Sequence, residues 1–194
     1  MIADGEAGFG GPINVFEIAK WMIESGASGV HFEDQLSSEK KCGHLGGKVL
    51  INTPSAIRNL VSARLASDVL GIDTIIIART DALNATLITN DISNSDTEFI
   101  LNSRTHEGFY KYQGCLDAAI KRGIDFAPYA DMLWFETSRP DMDEAKKFAK
   151  AIHSKFPGKK LAYNCSPSFN WEQNLNNEEI SMFQEELGEL GYRF

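Results

Sequence analysis

The sequence predicts an α/β fold: about five of the β/α units of a partial (β/α)8 TIM-type barrel, with a polar insertion. Three observations predict it. Short apolar runs rich in β-branched residues alternate with segments of helical period along most of the chain, the pattern of right-handed parallel β/α crossovers. Polar residues fall at the C-terminal ends of five predicted strands, namely Asp4, Glu33, Arg79, Glu136 and Asn164, where barrels carry their reactive groups. The stretch from Asp81 to Tyr112 is rich in Asn, Asp, Ser and Thr and breaks the rhythm, so it reads as an inserted loop or small domain. An open doubly wound sheet is the competing architecture. It would concentrate its signal in one glycine-rich turn after the first strand, and Gly8-Phe9-Gly10-Gly11 lacks the G-x-G-x-x-G spacing.

The elements follow in order. Met1 to Asp4 reads as the end of a strand. Ile13 to Ser25 is helical, with Val15, Ile18, Ala19 and Met22 on one face, and Asn14 with Glu17 resembles a capping box. Gly29 to Glu33 is a short strand. Thr53 and Pro54 suit the cap and first position of a helix that puts Ile57, Leu60, Val61, Leu65 and Val69 on one stripe and stops at Gly71. Thr74 to Ala78 is a continuous β-branched run, suited to a parallel strand buried on both faces. After the polar stretch come a helix at Leu116 to Lys121, a strand at Met132 to Phe135, and a helix at Asp143 to Ser154 with Ala145, Phe148, Ala149 and Ile152 inward. A strand at Leu161 to Asn164 follows. The last helix, Glu178 to Leu190, buries Ile180, Phe183, Leu187 and Leu190 and is stopped by Gly191. A complete barrel takes eight strands and about 250 residues. The sequence therefore reads as one incomplete barrel over residues 1–194, with its insertion at about 83–112.

Charge and cysteine usage narrow the function classes. A net charge of −8 argues against sequence-independent nucleic-acid binding, but not against an anionic substrate in a locally positive site. Three cysteines, Cys42, Cys115 and Cys165, do not make a secreted disulfide framework and suit a reducing, cytoplasmic setting. No apolar run reaches the length of a membrane span, and Met1 to Gly11 has neither the basic start nor the apolar middle of a signal peptide.

Four groups of residues are suited to chemistry. Asp4, Glu6 and Glu33 offer the oxygen ligands that a hard cation such as Mg²⁺ takes, with waters completing its shell; solvated loop acids would look the same. Lys40-Lys41-Cys42-Gly43-His44 sets a thiol beside two lysines and a histidine, which favours the thiolate and suits proton transfer. Gly43, Gly46 and Gly47 suit a closing lid, while an exposed loop with an incidental cysteine remains open as a reading. Arg79, at a strand end, suits a carboxylate or a structural ion pair equally. Asn164, Ser166 and Ser168 suit either a second carboxylate or turn formation. His31, inside a strand, reads as a packed, hydrogen-bonded residue.

Taken together, ADGEAGFGG (3–11), HFEDQ (31–35), KKCGHLGGKVL (40–50), ARTDA (78–82) and NCSPSFNW (164–171) resemble the isocitrate lyase family, within the isocitrate lyase/phosphoenolpyruvate mutase superfamily. The likeness covers essentially the whole chain and matches the middle of that family. The resemblance implies Mg²⁺- or Mn²⁺-dependent retro-aldol cleavage of isocitrate to glyoxylate and succinate, a step of the glyoxylate cycle. It implies Asp4 as the direct metal ligand, with Glu6 and Glu33 acting through water. Cys42 would be the catalytic acid, supported by His44 and Glu136. Gly43, Arg79, Asn164, Ser166 and Ser168 would bind substrate. It also implies a homotetramer with neither nucleic-acid nor membrane partners. The family's upstream Ser-Gly-Trp segment, a further acidic metal-site residue, a tyrosine implicated in deprotonation, a downstream threonine and the exchanged C-terminal helices have no counterpart here. The expectation is an internal fragment, inactive alone. The alternatives are 2-methylisocitrate lyase, which shares much of the KKCGH loop, and a non-catalytic truncated remnant.

Overall fold

The computed structural model describes residues 1–43 and 45–194. In chain order its strands and α-helices are β1 (Ile2–Asp4), α1 (Pro12–Glu24), β2 (Gly29–Glu33), β3 (Lys48–Leu50), α2 (Thr53–Leu70), β4 (Ile75–Thr80), β5 (Ala85–Ile88), β6 (Ile100–Arg104), β7 (Tyr110–Tyr112), α3 (Leu116–Phe126), β8 (Met132–Phe135), α4 (Met142–Lys155), β9 (Lys160–Ala162), α5 (Trp171–Asn174) and α6 (Asn177–Glu189).

The main sheet has the order β1-β2-β4-β8-β9, and every neighbouring pair is parallel. These are the five strands expected from the apolar runs. Among the described residues the sheet does not close. Beyond β9, residues 192–194 run alongside it: Arg193 N–H donates to the Leu161 carbonyl at 2.8 Å and Tyr163 N–H to the Phe194 carbonyl at 2.9 Å. Side chains alternate across each strand, and here the alternation separates two environments. Val30, Phe32, Ile76, Ala78, Leu133, Phe135 and Leu161 point to the helices and join Val15, Ala19, Phe126, Phe148, Ile152 and Phe183 in one buried core. Ile77, Met132 and Ala162, flanked by Ile2 and Trp134, form a separate small layer on the opposite face. Helices on one face of a parallel sheet and an apolar layer on the other is the arrangement of a barrel wall.

Helix starts differ from the expected caps. α1 begins at Pro12, so Asn14 is not its cap; it sits at the third helical position, where its Oδ1 accepts from Gly11 N–H at 3.3 Å. The cap of α2 is Asn52, whose Oδ1 accepts from Ser55 N–H at 2.9 Å. Thr53 is thereby free to bond elsewhere. The inward face of α2 also differs: Ala56, Leu60, Ala63 and Ala66 are buried, while Val61, Leu65 and Val69 are exposed. Small side chains let α2 lie close against α1 and the sheet, and closeness of approach, rather than residue size, decided which face turned in. In α4 the inward set is the expected Ala145, Phe148, Ala149 and Ile152. In α6, Phe183 and Leu187 are buried but Ile180 and Leu190 only half so. No helix among the described residues is long and apolar enough to cross a membrane.

The polar stretch is not a loop. Its strands β5, β7 and β6 join β3 in a second, mixed sheet of order β3-β5-β7-β6, and β3 itself had no strand signal beyond three residues of apolar and lysine character. A buried charge network ties this sheet to the barrel wall. Arg122 of α3, 1% exposed, donates from Nη1 to Asp34 Oδ2 at 2.9 Å, and from Nη2 to Asp96 Oδ1 at 2.8 Å and the Ile51 carbonyl at 2.9 Å. Asp96 also accepts from Thr53 N–H and Oγ1, both at 2.8 Å. Removing one member of a buried ionic group strands its partners. Arg122→Met should therefore cost about 3–5 kcal/mol of unfolding free energy, measured by urea denaturation of the protein in the longest form its gene encodes. A loss below about 1 kcal/mol would show that the network carries no weight.

Candidate active site

Strand alternation aims one set of side chains at the helix-free face. Asp4 of β1 lies opposite His31 of β2, Glu33 opposite Arg79 of β4, and Arg79 opposite Trp134 of β8. Glu136 and Asn164, each just beyond a strand end, continue the same alternation past Trp134 and Ala162. The five strand-end residues predicted from sequence thus belong to one face and one end of the sheet.

Around Arg79 the charges are in contact. Arg79 donates to Asp81 from Nε and Nη2, each at 3.1 Å. Its Nη2 lies 3.3 Å from Glu33 Oε2 and 3.9 Å from Glu136 Oε1, and the guanidinium stacks 5.1 Å from the centre of the Trp134 ring. Asn164 Nδ2 donates to Glu136 Oε1 at 3.0 Å. Asp81 also accepts from Lys48 Nζ at 2.5 Å, and all of Lys48 is buried. Burial alone would raise the Asp81 carboxyl, but Arg79 and Lys48 outweigh it and hold the group below the usual carboxylate range. Glu33 goes the other way: burial and then the Asp81 charge push it up to about 8, against the pull of Arg79. Burial likewise raises Glu136. The site therefore combines a fixed carboxylate with two carboxyl groups that hold protons at higher pH than usual, a division of roles typical of acid–base sites.

Asp4 and Glu6 lie at the rim. Asp4 Oδ1 accepts from Glu6 N–H at 2.8 Å, and Glu6 is held at φ +46°, with Phe9 following at φ +57°. Left-handed backbone costs a non-glycine residue about 1–2 kcal/mol, and such strain concentrates where a loop serves a ligand. The oxygen donors suit a hard cation, and Glu33 Oε2 is buried without a hydrogen bond among the described residues. Among the described residues no three His, Cys, Asp or Glu side chains converge for direct coordination. A cation held by one carboxylate directly and by others through water needs no such convergence, so the residues fit a hard divalent cation.

The Cys42 segment lies on this face. Cys42 is exposed. A Cβ added at Gly43 would come within 1.8 Å of Glu136 Oε1, so the backbone lies against the Glu136 carboxyl and a side chain there would have to displace it. His44 lies outside the described residues. Ser166 and Ser168 are paired with each other, Oγ to Oγ at 2.7 Å, in a turn closed by Trp171 Nε1 donating to the Ser166 carbonyl at 2.8 Å; no hydrogen bond joins them to the Arg79 cluster.

Several residues here carried no sequence expectation. Asp81 and Lys48 lie inside the quoted motifs, yet a lone acid and a lone lysine give no hint that they meet. Trp134 lies in the expected strand from Met132 to Phe135, where nothing marked it as part of the site. His31 is packed edge-on against Trp134 at 4.9 Å and lies 3.6 Å from Asp4 Oδ1 through Nε2. Among the described residues its Nδ1 has no hydrogen-bond partner; the packing is as expected, and burial lowers its pKa.

The sequence model of the isocitrate lyase family matches residues 1–103 and 102–194. The chain is 66% identical over all 194 residues to isocitrate lyase of Halalkalibacterium halodurans and 58% identical to isocitrate lyase of Escherichia coli K12. It spans 45% of the length of each. Among solved structures it is similar to oxaloacetate acetylhydrolase in complex with the inhibitor 3,3-difluorooxalacetate, with a TM-score of 0.67 and 26% identity over 99% of this chain and 51% of that one. A family match over the full chain, on a sheet that brings the family's motifs to one face, leads to one conclusion: the chain belongs to the isocitrate lyase family.

Proposed function

We propose that this chain carries the catalytic face of an isocitrate lyase, which cleaves isocitrate to glyoxylate and succinate by a Mg²⁺-dependent retro-aldol reaction. One observation carries the reading: Asp4, Glu33, Arg79, Glu136 and Asn164 share one face and one end of the parallel sheet, with the Gly43 backbone seated on Glu136. Residues 1–194 are then part of a catalytic barrel, with the β3-β5-β7-β6 sheet as its insertion.

In this reading Asp4 binds the cation directly and Glu6 and Glu33 hold its waters. When bound, Mg²⁺ supplies Lewis-acid stabilisation of charge on the oxygens of the glyoxylate portion. Arg79 grips a substrate carboxylate, and Gly43, Asn164, Ser166 and Ser168 hold the succinate portion. The substrate hydroxyl loses its proton to a base that none of these residues supplies. Its carbon becomes the glyoxylate carbonyl as the C–C bond breaks, and the electron pair passes to the succinate carbon. Cys42 delivers a proton to that carbon, with His44 and Glu136 supporting the transfer. Residues 40–47 form the lid that excludes water. The family resemblance supports a cytoplasmic homotetramer.

Cys42→Ala should abolish glyoxylate release by the protein in the longest form its gene encodes, and Cys42→Ser should lower kcat by about 10²–10⁴. Near-normal turnover of either would remove Cys42 as the acid. Running the same assay on 2-methylisocitrate tests the neighbouring specificity: faster turnover there would make the protein a methylisocitrate lyase.

The metal assignment has its own test. Burial and the Asp81 charge push the Glu33 carboxyl up to about 8, and a cation favours its ionised form. Mg²⁺ binding at pH 7 should therefore expel protons, and apparent affinity should rise with pH up to about 8. Calorimetric titration in two buffers of different ionisation heat counts the protons released. Binding without proton release would take Glu33 out of the metal site.

A further inference from the structure

Two buried side chains grip the backbone on either side of Cys42. Lys41 N–H donates to Gln35 Oε1 at 3.0 Å, and Gln35 Nε2 donates back to the Lys41 carbonyl at 2.8 Å. On the other side Lys48 Nζ donates to the Gly43 carbonyl at 2.5 Å. Gln35 is 1% and Lys48 0% exposed. Both grips are anchored in the site: Gln35 Nε2 also reaches Glu33 Oε1 at 3.1 Å, and Lys48 Nζ reaches Asp81 Oδ1 at 2.5 Å.

Neither side chain is explained by the sheets. The backbone of Gln35 is already fixed by its bridge to Leu50, so its amide is free to serve the Lys41 pairing. Asp81 already has two hydrogen bonds from Arg79, and a second buried cation beside it carries a desolvation cost. That cost is offset only if the ammonium also does something that an apolar side chain of the same length cannot. Besides its pairing with Asp81, the ammonium holds the Gly43 carbonyl.

We propose that Gln35 and Lys48 are positioning residues that seat the Cys42 turn on Glu136. The proposal rests on the reading of Cys42 as the proton donor. Held at residues 41 and 43, the turn that carries Cys42 is tied down on both sides of the thiol, with the Gly43 backbone against Glu136. A displacement of about 1 Å at such a group costs around a hundredfold in rate, so loss of either grip is felt in the chemistry and far less in substrate binding through Arg79.

The test uses Gln35→Met and Lys48→Met in the protein in the longest form its gene encodes, with Lys48→Arg as the conservative variant. Limited trypsin cleavage after Lys40 and Lys41 reads opening of the turn without reference to activity. Each Met variant should be cut there about tenfold faster or more, as expected on losing a hydrogen bond to a charged group or a paired amide. Cleavage elsewhere should hold steady, kcat for isocitrate should fall and KM should change little. Lys48→Arg should recover part of both effects. Unchanged cleavage at Lys40 and Lys41 in both Met variants overturns the proposal. So does a uniform rise at all sites that tracks a lower Tm, which makes the two residues merely structural, and so does faster cleavage with kcat intact. If the unaltered protein fails to cleave isocitrate while the turn responds as described, the lyase reading falls and the seating of the turn stands.

Discussion

Asp81 lies fully buried between Arg79 and Lys48, and charges so far from water must neutralise one another or cost several kcal/mol each. Two cations around one ionised carboxylate leave an excess of positive charge at the end of the sheet. Glu33 does not cancel it outright, because burial pushes its carboxyl up to about 8, and burial moves Glu136 in the same direction. An anion arriving on this face therefore meets a guanidinium whose position is set by Asp81 and whose charge is incompletely matched. That is a carboxylate-binding environment in a chain whose net charge is −8; local burial, not overall charge, decides what the site attracts.

The same alternation that serves the site serves the fold. Glu33 and Asp34 are neighbours in sequence but face opposite sides of β2. Glu33 turns to the helix-free face and Arg79, while Asp34 turns to the helix side and accepts from Arg122 Nη1, from Thr80 Oγ1 at 2.6 Å and from Asp81 N–H at 2.8 Å. Asp34 thus holds the backbone of Asp81 in place from behind. Arg122 extends that support through Asp96 and Ile51 to the second sheet. β3 of that sheet carries Lys48, and its pairing with β5 fixes where Lys48 starts. The inserted sheet is therefore the foundation of the segment that follows Cys42.

Much of this was legible in the sequence because strands and their polar ends leave local marks. The five apolar runs gave the parallel strands, and a polar residue directly after each gave the site face. What stayed hidden depends on partners distant in sequence. Lys48 and Asp81 are 33 residues apart, and Arg122 and Asp34 are 88 apart, so no local pattern reveals either pair. The strands β5 to β7 were masked by polar composition, since a small mixed sheet with exposed faces needs few apolar residues. The inward face of α2 was missed for a related reason: the larger residues Val61, Leu65 and Val69 make the stronger pattern, but alanines allow the closer approach.

The apolar layer under the site links these points to chemistry. Ile77, Met132 and Ala162, with Ile2 and Trp134 beside them, lie directly below Arg79 and Glu136 along the same strands. That apolar layer adds to the burial that raises Glu33 and Glu136. A polar floor would lower both carboxyl groups toward ordinary values and leave the face acidic. The floor requires only that apolar residues precede each polar one by two positions in a strand, and β4 and β8 read in that way: Ile77 before Arg79, Met132 before Trp134, Trp134 before Glu136. The alternation that makes a barrel wall thus also tunes the groups at its rim, and this is why strand-end residues in such a fold become reactive without a motif of their own.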